Sequence, residues 1–436
     1  MAGISESEFT PHIYPPFPVA GISVASLPSF KLSDLAQSLS LDSGSDRRKQ
    51  LLRACHTDGC FYLDVGGDQQ SRKGSLMKDA ESLVKLLQPI FKLSQDEKDK
   101  YSPSDPLALF GYKKTGVTVV DADNTPDCAE FFNLSKDDLS RARKARSQWE
   151  DQDSFRASQP EPAPAASTRL EPPVLAWPRI VHDHQDRVAR FMCECHEICL
   201  RVLDTICTEY GFPPATLRNL HNFTGTSGDH LRLIRGPAGV GQRQEQQRQQ
   251  EEEEEGEEEE GEDDDDDDDE EHCPQQIHTP SHCDFGTVTL LFNWLGGLQI
   301  EQDGEFKWVK PVHGHAIVLV GSALGRFTEN QNSGISCHPV KHRVVSAPGA
   351  HGRFPRYAMA YLLRPEDDVL IKPLDLAPPL FGAMRSSQGD LLSLDRDGQV
   401  EVAPNTAKEW IRSKARELGI GETQSDELET SIMGRI

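Results

Sequence analysis

Residues 279–292, TPSHCDFGTVTLLF, decide the fold of this chain. The stretch opens with a turn-like TPS and ends in threonine and aliphatic residues that are typical of a β-strand. Its polar members include His282 and Asp284, and side chains two residues apart in a strand project from the same face. An imidazole and a carboxylate on one face supply two candidate ligands of a metal site. A histidine from a neighbouring strand would complete the set of two histidines and one carboxylate that suits ferrous iron and leaves coordination positions open.

The second half of the chain repeats short strand patterns between Gly, Pro and Asn turns. Strands are predicted at residues 231–235, 287–293, 298–302, 305–311, 315–324, around His342 and at 356–363. Short strands at regular spacing favour an antiparallel barrel or a double-sheet jelly roll.

The first half combines strands with helices. Apolar periodicity predicts strands at 28–32 and 59–65 and helices at 46–56, at about 75–93 and, as one long helix, at 180–210. The predicted fold is therefore mainly β with helices (α+β): a double-stranded β-helix (jelly-roll) core that is braced by N-terminal helices.

These patterns divide the chain into segments. A helical N-terminal region covers residues 26–150, and a Pro-rich linker covers 151–178. The jelly-roll domain, with the long helix that precedes it, covers 179–366. An acidic insertion interrupts this domain at 240–274, and a C-terminal extension with a helix covers 367–436.

The formal charge of −25 is concentrated in one place. Residues 240–272 carry 20 acidic groups against two arginines, a net of −18, which leaves −7 for the rest of the chain. No basic stripe appears, so we expect no nucleic-acid partner. A block of like charges repels itself and has no apolar surface to bury, which predicts a disordered insertion. The alternative is a binding arm for a basic partner or for cations.

Cysteine usage indicates the compartment. Ten cysteines are scattered without a repeated CxxC spacing, which favours reduced thiols and a cytoplasmic location. The N-terminus does not resemble a secretory signal, and no apolar run approaches the roughly 20 residues that span a bilayer. We therefore expect no membrane association, and we expect a monomer.

Two further residues extend the candidate site. His342, in PVKHRVVSAPG, lies on another predicted strand and is the candidate third ligand. Arg356 begins RYAMAYLLRP and would be unfavourable inside a barrel without an anionic partner.

Other histidines are weaker candidates for metal binding. His313 and His315 flank Gly314 at a predicted turn, where turn chemistry is the commoner role. His278 lies four residues before His282, a spacing that suits zinc on a helix, but the TPS sequence is expected to break any helix there.

The motifs in this order resemble those of the Fe(II)/2-oxoglutarate-dependent dioxygenases, and more narrowly the isopenicillin N synthase-like oxygenases. The similar segments are HCDFGTVTLLF, GGLQI, HRV and RYA-x-x-Y, preceded by LPSFKLSDL, DGCFYL, FGYKKTG and DCAEFFNLS. The resemblance covers about residues 26–366, with the Pro-rich and acidic segments as insertions.

The resemblance implies both the chemistry and the site residues. His282, Asp284 and His342 match the ligands of Fe(2+), and Arg356 matches the arginine that pairs with the distal carboxylate of 2-oxoglutarate. The implied enzyme couples decarboxylation of 2-oxoglutarate and activation of O2 to the oxidation of a small organic substrate. Hydroxylation, desaturation or cyclisation are the implied outcomes.

This chain departs from the family pattern at the cosubstrate end. The family's Arg-x-Ser becomes Arg356-Tyr357-Ala358, and the tyrosine that often follows the LRL strand is replaced by Arg235 and Gly236. Arg353 competes with Arg356 as the anchor. An isopenicillin N synthase-like oxidase that does not use 2-oxoglutarate, or a non-catalytic metal-binding scaffold with an acidic arm, are the alternative functions.

Overall fold

A computed structural model describes residues 9–35, 46–66, 75–105, 107–120, 125–140, 177–213, 215–238, 276–329, 336–374 and 405–417. The acidic insertion predicted at 240–274 lies outside the described residues, as do most of the Pro-rich linker and most of the C-terminal extension.

Helices and strands alternate in the first half, and strands predominate in the second. The α-helices are α1 (Asp46–Thr57), α2 (Leu76–Leu87), α3 (Gln95–Asp99), α4 (Arg179–Asp183), α5 (Gln185–Tyr210), α6 (Ser322–Thr328) and α7 (Ala407–Glu417). The first strands are β1 (Ser29–Lys31), β2 (Cys60–Asp64), β3 (Gly111–Lys113), β4 (Glu130–Ser135), β5 (His230–Gly236) and β6 (Ile277–His282). The later strands are β7 (Val288–Asn293), β8 (Leu298–Gln302), β9 (Glu305–Trp308), β10 (His315–Val320), β11 (His342–Val345) and β12 (Arg356–Leu363).

The strands form two sheets. The larger sheet has the order β1-β2-β10-β7-β12-β5-β4-β3, and the smaller sheet has the order β6-β11-β8-β9. Every pairing between these strands is antiparallel except that of β1 with β2. Two packed antiparallel sheets with helices confirm the predicted α+β jelly-roll fold.

Alternation along the strands gives the larger sheet two apolar faces. Leu291 of β7 and Ala358 of β12 pack towards Ile300 of the smaller sheet, in the core between the two sheets. Leu290 belongs instead to the core on the outer face, with residues of α2 and α5 such as Phe191. The helices therefore cover the larger sheet from outside, as predicted, and the space between the sheets is left for the site.

The TPS sequence is not the predicted turn. Thr279, Pro280 and Ser281 lie within β6, which is the edge strand of the smaller sheet and pairs only with β11. Proline lacks a backbone N–H, so an edge strand tolerates it where a central strand would lose a hydrogen bond. Two register shifts between β11 and β6 accompany it. Such irregularities re-aim side chains near active sites.

Three other boundaries differ from prediction. The segment at 315–324 ends as a strand at Val320, and α6 begins at Ser322 after Gly321. The long helix at 180–210 is divided into α4 and α5 at His184, whose φ of −117° and ψ of 13° are not helical. The strand at 305–311 ends at Trp308. None of the helices in the described parts of the chain combines the length and hydrophobicity that a bilayer-spanning segment needs.

Candidate active site

Strand pairing brings the two predicted histidine ligands together. His282 is the last residue of β6, His342 is the first residue of β11, and the two are direct partners across the strands. Their ring centroids are 4.4 Å apart. Residues that are distant in the chain therefore meet because opposed residues of antiparallel strands have neighbouring side chains.

Asp284 lies beside the two histidines, but not at the strand position that the sequence predicted. It follows the end of β6 and does not share that strand with His282. Its carbonyl oxygen accepts a hydrogen bond of 2.8 Å from the Ser322 N–H at the start of α6, so the backbone here follows the helix and not the strand ladder. The carboxylate Oδ1 nevertheless lies 3.7 Å from His282 Nε2. One ligand atom each from His282, Asp284 and His342 lie within 4.8 Å of one another.

Hydrogen bonds fix the orientation of both rings. The Nδ1–H of His282 donates to the Pro280 carbonyl oxygen at 2.8 Å, and the Nδ1–H of His342 donates to the Val340 carbonyl oxygen at 3.1 Å. In a neutral imidazole this leaves the Nε2 lone pair available to a metal, and such bonds are the usual support of a histidine ligand.

The electrostatics of the group favour a cation. Burial and the neighbouring His342 lower the pKa of His282 to about 4, so its ring is neutral near pH 7. Burial alone would raise the pKa of Asp284, but attraction to His342 and His282 and a hydrogen bond from Thr289 outweigh it and hold the pKa below its usual value. Nε2 of each histidine and the carboxylate of Asp284 therefore converge, and two imidazole nitrogens with one carboxylate are the donor set that ferrous iron takes.

Arg356, the first residue of β12, is buried at 3% exposure. Its Nε–H donates to the Gly296 carbonyl oxygen at 3.0 Å, and burial lowers its pKa to about 10. No carboxylate in the described parts of the chain forms an ion pair with it. A buried guanidinium of this kind fits a bound carboxylate.

The neighbours of Arg356 agree with the two departures seen in the sequence. Ala358 lies two residues further along β12 and is fully buried in the core between the sheets. Gly236, the last residue of β5, is the direct cross-strand partner of Arg356. Arg353 ends a short 3-10 helix and is exposed to solvent, which makes it the weaker candidate for the anchor.

The other histidines take no part in the cluster. His315 begins β10 and donates its Nδ1–H to the carbonyl oxygen of His313, which is the turn chemistry expected. His278 lies in β6 at 1% exposure and not on a helix. In the part of the chain that the structure describes, the trio of His282, Asp284 and His342 is the one group of such side chains placed to hold a metal ion.

Sequence reasoning missed Thr289, which supports the site. Its hydroxyl donates a hydrogen bond to Asp284 Oδ2 at 2.5 Å, and the residue is 4% exposed. The only signal in the sequence is that Thr289 interrupts the apolar run of β7. A polar residue at a buried strand position needs a partner, and that rule could have drawn attention to it.

A group of basic residues, two of them buried and one half-buried, was also missed. His230 begins β5, Arg232 follows on the same strand, and Arg364 comes directly after β12. His230 Nε2 and Arg364 Nε and Nη1 are buried with no hydrogen-bond partner among the described residues. In the sequence, each of the three looks like an ordinary polar residue in or beside a strand. Only the pairing of β5 with β12 brings them together.

The fold and the site together define a class: jelly-roll proteins with a site for a non-haem metal. Two family models match the chain, the N-terminal region of non-haem dioxygenases at residues 27–153 and the 2OG-Fe(II) oxygenase superfamily at residues 260–365. The chain belongs to the 2OG-Fe(II) oxygenase superfamily. It is an oxidoreductase that uses Fe(II), 2-oxoglutarate and O2 to oxidise a small organic substrate.

Fungal proteins are among the similar sequences. The 2-oxoglutarate-dependent dioxygenase gloE of Glarea lozoyensis is 26% identical over 349 residues, which are 80% of this chain and 83% of that protein. A 2-oxoglutarate-dependent dioxygenase of Aspergillus fumigatus is 25% identical over 397 residues, which are 86% of this chain and 83% of that protein.

Solved structures share the fold. A full-length Neurospora crassa protein in complex with alpha-KG has a TM-score of 0.57 at 18% identity and covers 92% of this chain and 99% of its own. A 2OG-Fe(II) oxygenase family protein of Caulobacter crescentus has a TM-score of 0.57 at 17% identity and covers 91% of this chain and 100% of its own.

Proposed function

We propose that His282, Asp284 and His342 hold the Fe(II) ion and that Arg356 holds the distal carboxylate of 2-oxoglutarate. The observation that carries the proposal is the convergence of one nitrogen from each histidine and one carboxylate oxygen within 4.8 Å. When bound, iron and 2-oxoglutarate supply the oxidation: 2-oxoglutarate, O2 and a substrate C–H bond yield succinate, CO2 and, in a hydroxylation, a C–OH group.

The protein's own residues orient the proposed metal ligands and bind the cosubstrate. The carbonyls of Pro280 and Val340 fix the ring tautomers of the two histidines, and Thr289 fixes the carboxylate of Asp284. Arg356 provides the positive charge at the cosubstrate end. The apolar residues between the sheets exclude water from that end, which strengthens the attraction between a guanidinium and a carboxylate.

Iron binding tests the assignment of the ligands. His282→Ala, Asp284→Ala and His342→Ala should each abolish stoichiometric Fe(II) binding, because each removes one of three protein ligands. His315→Ala, which removes a histidine outside the group, should bind iron as the wild type does. Circular dichroism should remain near that of the wild type in all four variants. Full iron affinity in any ligand variant would remove that residue from the site.

Anaerobic titration of the iron-loaded protein with 2-oxoglutarate tests the use of the cosubstrate. A metal-to-ligand charge-transfer band in the visible is expected, together with succinate formation coupled to turnover in air. Turnover without succinate would favour the oxidase alternative. Iron binding without the band would favour the non-catalytic scaffold.

We also infer a cytoplasmic monomer. The ten cysteines, scattered without a repeated CxxC spacing, support a reducing compartment. A basic partner for residues 240–272 is a further proposal, supported by the net charge of −18 in that segment. Light scattering of the purified protein tests the oligomeric state.

A further inference from the structure

The cosubstrate end of the site lacks the two hydroxyl groups that the family pattern places there. Ala358 stands at the serine position on the strand that begins with Arg356. Gly236, which lies directly opposite Arg356, has no side chain to offer in place of the tyrosine. The inference that follows rests on the proposed role of Arg356.

His278 fills the space that Gly236 leaves. A Cβ atom placed on Gly236 would lie 2.5 Å from His278 Nδ1 and 3.0 Å from Cε1 of the same ring. These distances are too short for atoms in contact, so the imidazole occupies the volume that a side chain at position 236 would need. The ring of His278, in the smaller sheet, therefore lies against Gly236, which is the cross-strand partner of Arg356 in the larger sheet.

The polar atoms of this ring point to a ligand. Nδ1 of His278 is buried with no hydrogen-bond partner among the described residues, and Nε2 lies 3.4 Å from Ser346 Oγ. Burial and the nearby Arg356 cation lower the pKa of His278 to about 4, so the ring is neutral and carries one N–H. The Ser346 hydroxyl lies 3.4 Å from His278 Nε2 and 3.4 Å from the Gln276 carbonyl oxygen, and it has one proton to donate. When it donates to Gln276, the ring proton lies on Nε2; when it donates to Nε2, the ring proton lies on Nδ1. A buried N–H without an acceptor destabilises the fold, and a bound carboxylate would satisfy it.

We propose that His278 donates its Nδ1–H to the distal carboxylate of 2-oxoglutarate, beside Arg356, and so replaces the missing hydroxyl groups. The bound carboxylate selects the Nδ1–H tautomer, in which the Ser346 hydroxyl donates to Nε2 instead of to the Gln276 carbonyl oxygen. Gly236 is then required because any larger residue would displace the ring.

A pair of ligands isolates this contact. 2-Oxoglutarate and 2-oxovalerate present the same 2-oxo acid to the metal, but only 2-oxoglutarate carries the distal carboxylate. Dissociation constants are measured by calorimetry on the Zn(II)-loaded full chain, so no turnover is involved. His278→Phe keeps the ring volume without a donor and should weaken 2-oxoglutarate about tenfold, the effect of one hydrogen bond to a charged group. Binding of 2-oxovalerate should not change.

Control variants complete the experiment. His313→Phe changes an exposed histidine and should bind both acids as the wild type does. The double variant Gly236→Tyr with His278→Ala restores a hydroxyl at the family position and should recover most of the lost affinity. Arg356→Met should weaken 2-oxoglutarate more than His278→Phe does.

The outcomes separate this inference from the proposed function. If His278→Phe binds both acids as the wild type does, or weakens both equally, His278 is only a packing residue and the inference is wrong. If the wild type does not prefer 2-oxoglutarate, or if Arg356→Met leaves that preference intact, the proposed anchor itself is wrong.

A second and independent observation concerns the substrate. His230, Arg232 and Arg364 form a basic cluster in which His230 and Arg364 are buried and Arg232 is half-buried. Burial and the neighbouring Arg232 lower the pKa of Arg364 to about 10, while attraction to Asp284, Asp229 and Asp367 opposes that shift. Burial, Arg364 and Arg232 also hold the pKa of His230 well below its usual value. Arg232 donates to Asn133 Oδ1 at 2.8 Å, and in the described ranges neither arginine side chain forms an ion pair with a carboxylate.

The geometry points to a substrate that carries a carboxylate, which Arg364 and Arg232 bind beside the metal ligand Asp284. Repulsion between the two guanidinium groups is relieved by an anion, and a guanidinium matches a carboxylate in shape and charge. Arg356, the proposed anchor of 2-oxoglutarate, begins β12, and Arg364 follows the end of that strand, so the two anions would occupy different places.

Matched probes test this site on protein that already holds Zn(II) and 2-oxoglutarate. Phenylacetate should bind about tenfold more tightly than phenylacetamide, which has the same shape without the charge. Arg364→Met should remove this difference and leave the affinity for 2-oxoglutarate unchanged. Arg326→Met, at an exposed arginine of α6, should retain the difference. Equal binding of acid and amide, binding of inorganic phosphate alone, or no binding of phenylacetate would each contradict a carboxylate site.

Discussion

Thr289→Val should weaken metal binding, although the Thr289 side chain is not itself a proposed metal ligand. The Thr289 hydroxyl donates a hydrogen bond to Asp284 Oδ2, and at 4% exposure water has little access to replace it. Valine has nearly the same volume and no donor, so the carboxylate loses one partner while the packing of β7 is retained.

The magnitude follows from that one hydrogen bond. A hydrogen bond to a charged group is worth roughly 1.5–3 kcal/mol, which corresponds to about a tenfold to hundredfold loss of metal affinity. Substitutions that remove the support of a metal ligand typically have an effect of about this size.

The assay is titration of the metal-free protein with Mn(II), followed by the electron paramagnetic resonance signal of the free ion. Thr289→Ser is the matched control, because it keeps the hydroxyl and loses only a methyl group. Thermal melting of both variants checks that the fold is retained. Wild-type affinity in Thr289→Val, or an equal loss in Thr289→Ser, would refute the reasoning, since the effect would then not come from the hydroxyl.

Three further predictions concern the cosubstrate end and the acidic insertion. Gly297→Ala should lower both the melting temperature and 2-oxoglutarate affinity, because the new Cβ, at a φ of +114°, would lie 2.8 Å from the Val345 carbonyl oxygen and 3.1 Å from Arg356 Cδ. Gly304→Ala, at a φ of +81° with no atom within 4 Å, should lower only the melting temperature. Ala358→Ser should tighten 2-oxoglutarate binding, measured by calorimetry, because residues 356 and 358 share a face; an unchanged dissociation constant would show that the hydroxyl does not reach the carboxylate. Deletion of residues 241–271 should leave the melting transition cooperative, because the segment has almost no apolar side chains to bury; loss of binding to a lysine-rich peptide in the deletion would support the basic partner.

Strand positions were predictable where a run of apolar residues is bounded on both sides by residues that favour turns. The predicted bounds of β8 and β12 are the observed ones, because each run of apolar residues lies between residues that favour turns. The segment after β10 was misassigned because its apolar residues continue past Gly321, and periodicity over so few residues does not separate a strand from a helix. Pro280 marks a turn by composition but lies in an edge strand, and a strand's place in its sheet is a property of the whole fold.

The sequence named the residues of the proposed site, but their geometry was less predictable. The spacing of His282 and Asp284 indicated a shared strand face, whereas Asp284 follows the backbone towards α6. Resemblance to the family supplied His342, and the direct pairing of His342 with His282 is visible only in the sheet. His278 was considered only as a metal ligand, because its neighbour Gly236 is distant in the sequence.

Two cross-strand pairs explain why the proposed metal ligands and the proposed cosubstrate anchor lie in one site. His282 opposes His342 in the smaller sheet, and Arg356 opposes Gly236 in the larger sheet. His278, on the same strand as His282, reaches across to Gly236, so β6 contributes both to the metal group and to the cosubstrate end. A family residue lost from one sheet is therefore open to replacement from the other sheet, because the two face each other across the same space. The absence of the familiar serine and tyrosine does not by itself argue against 2-oxoglutarate binding.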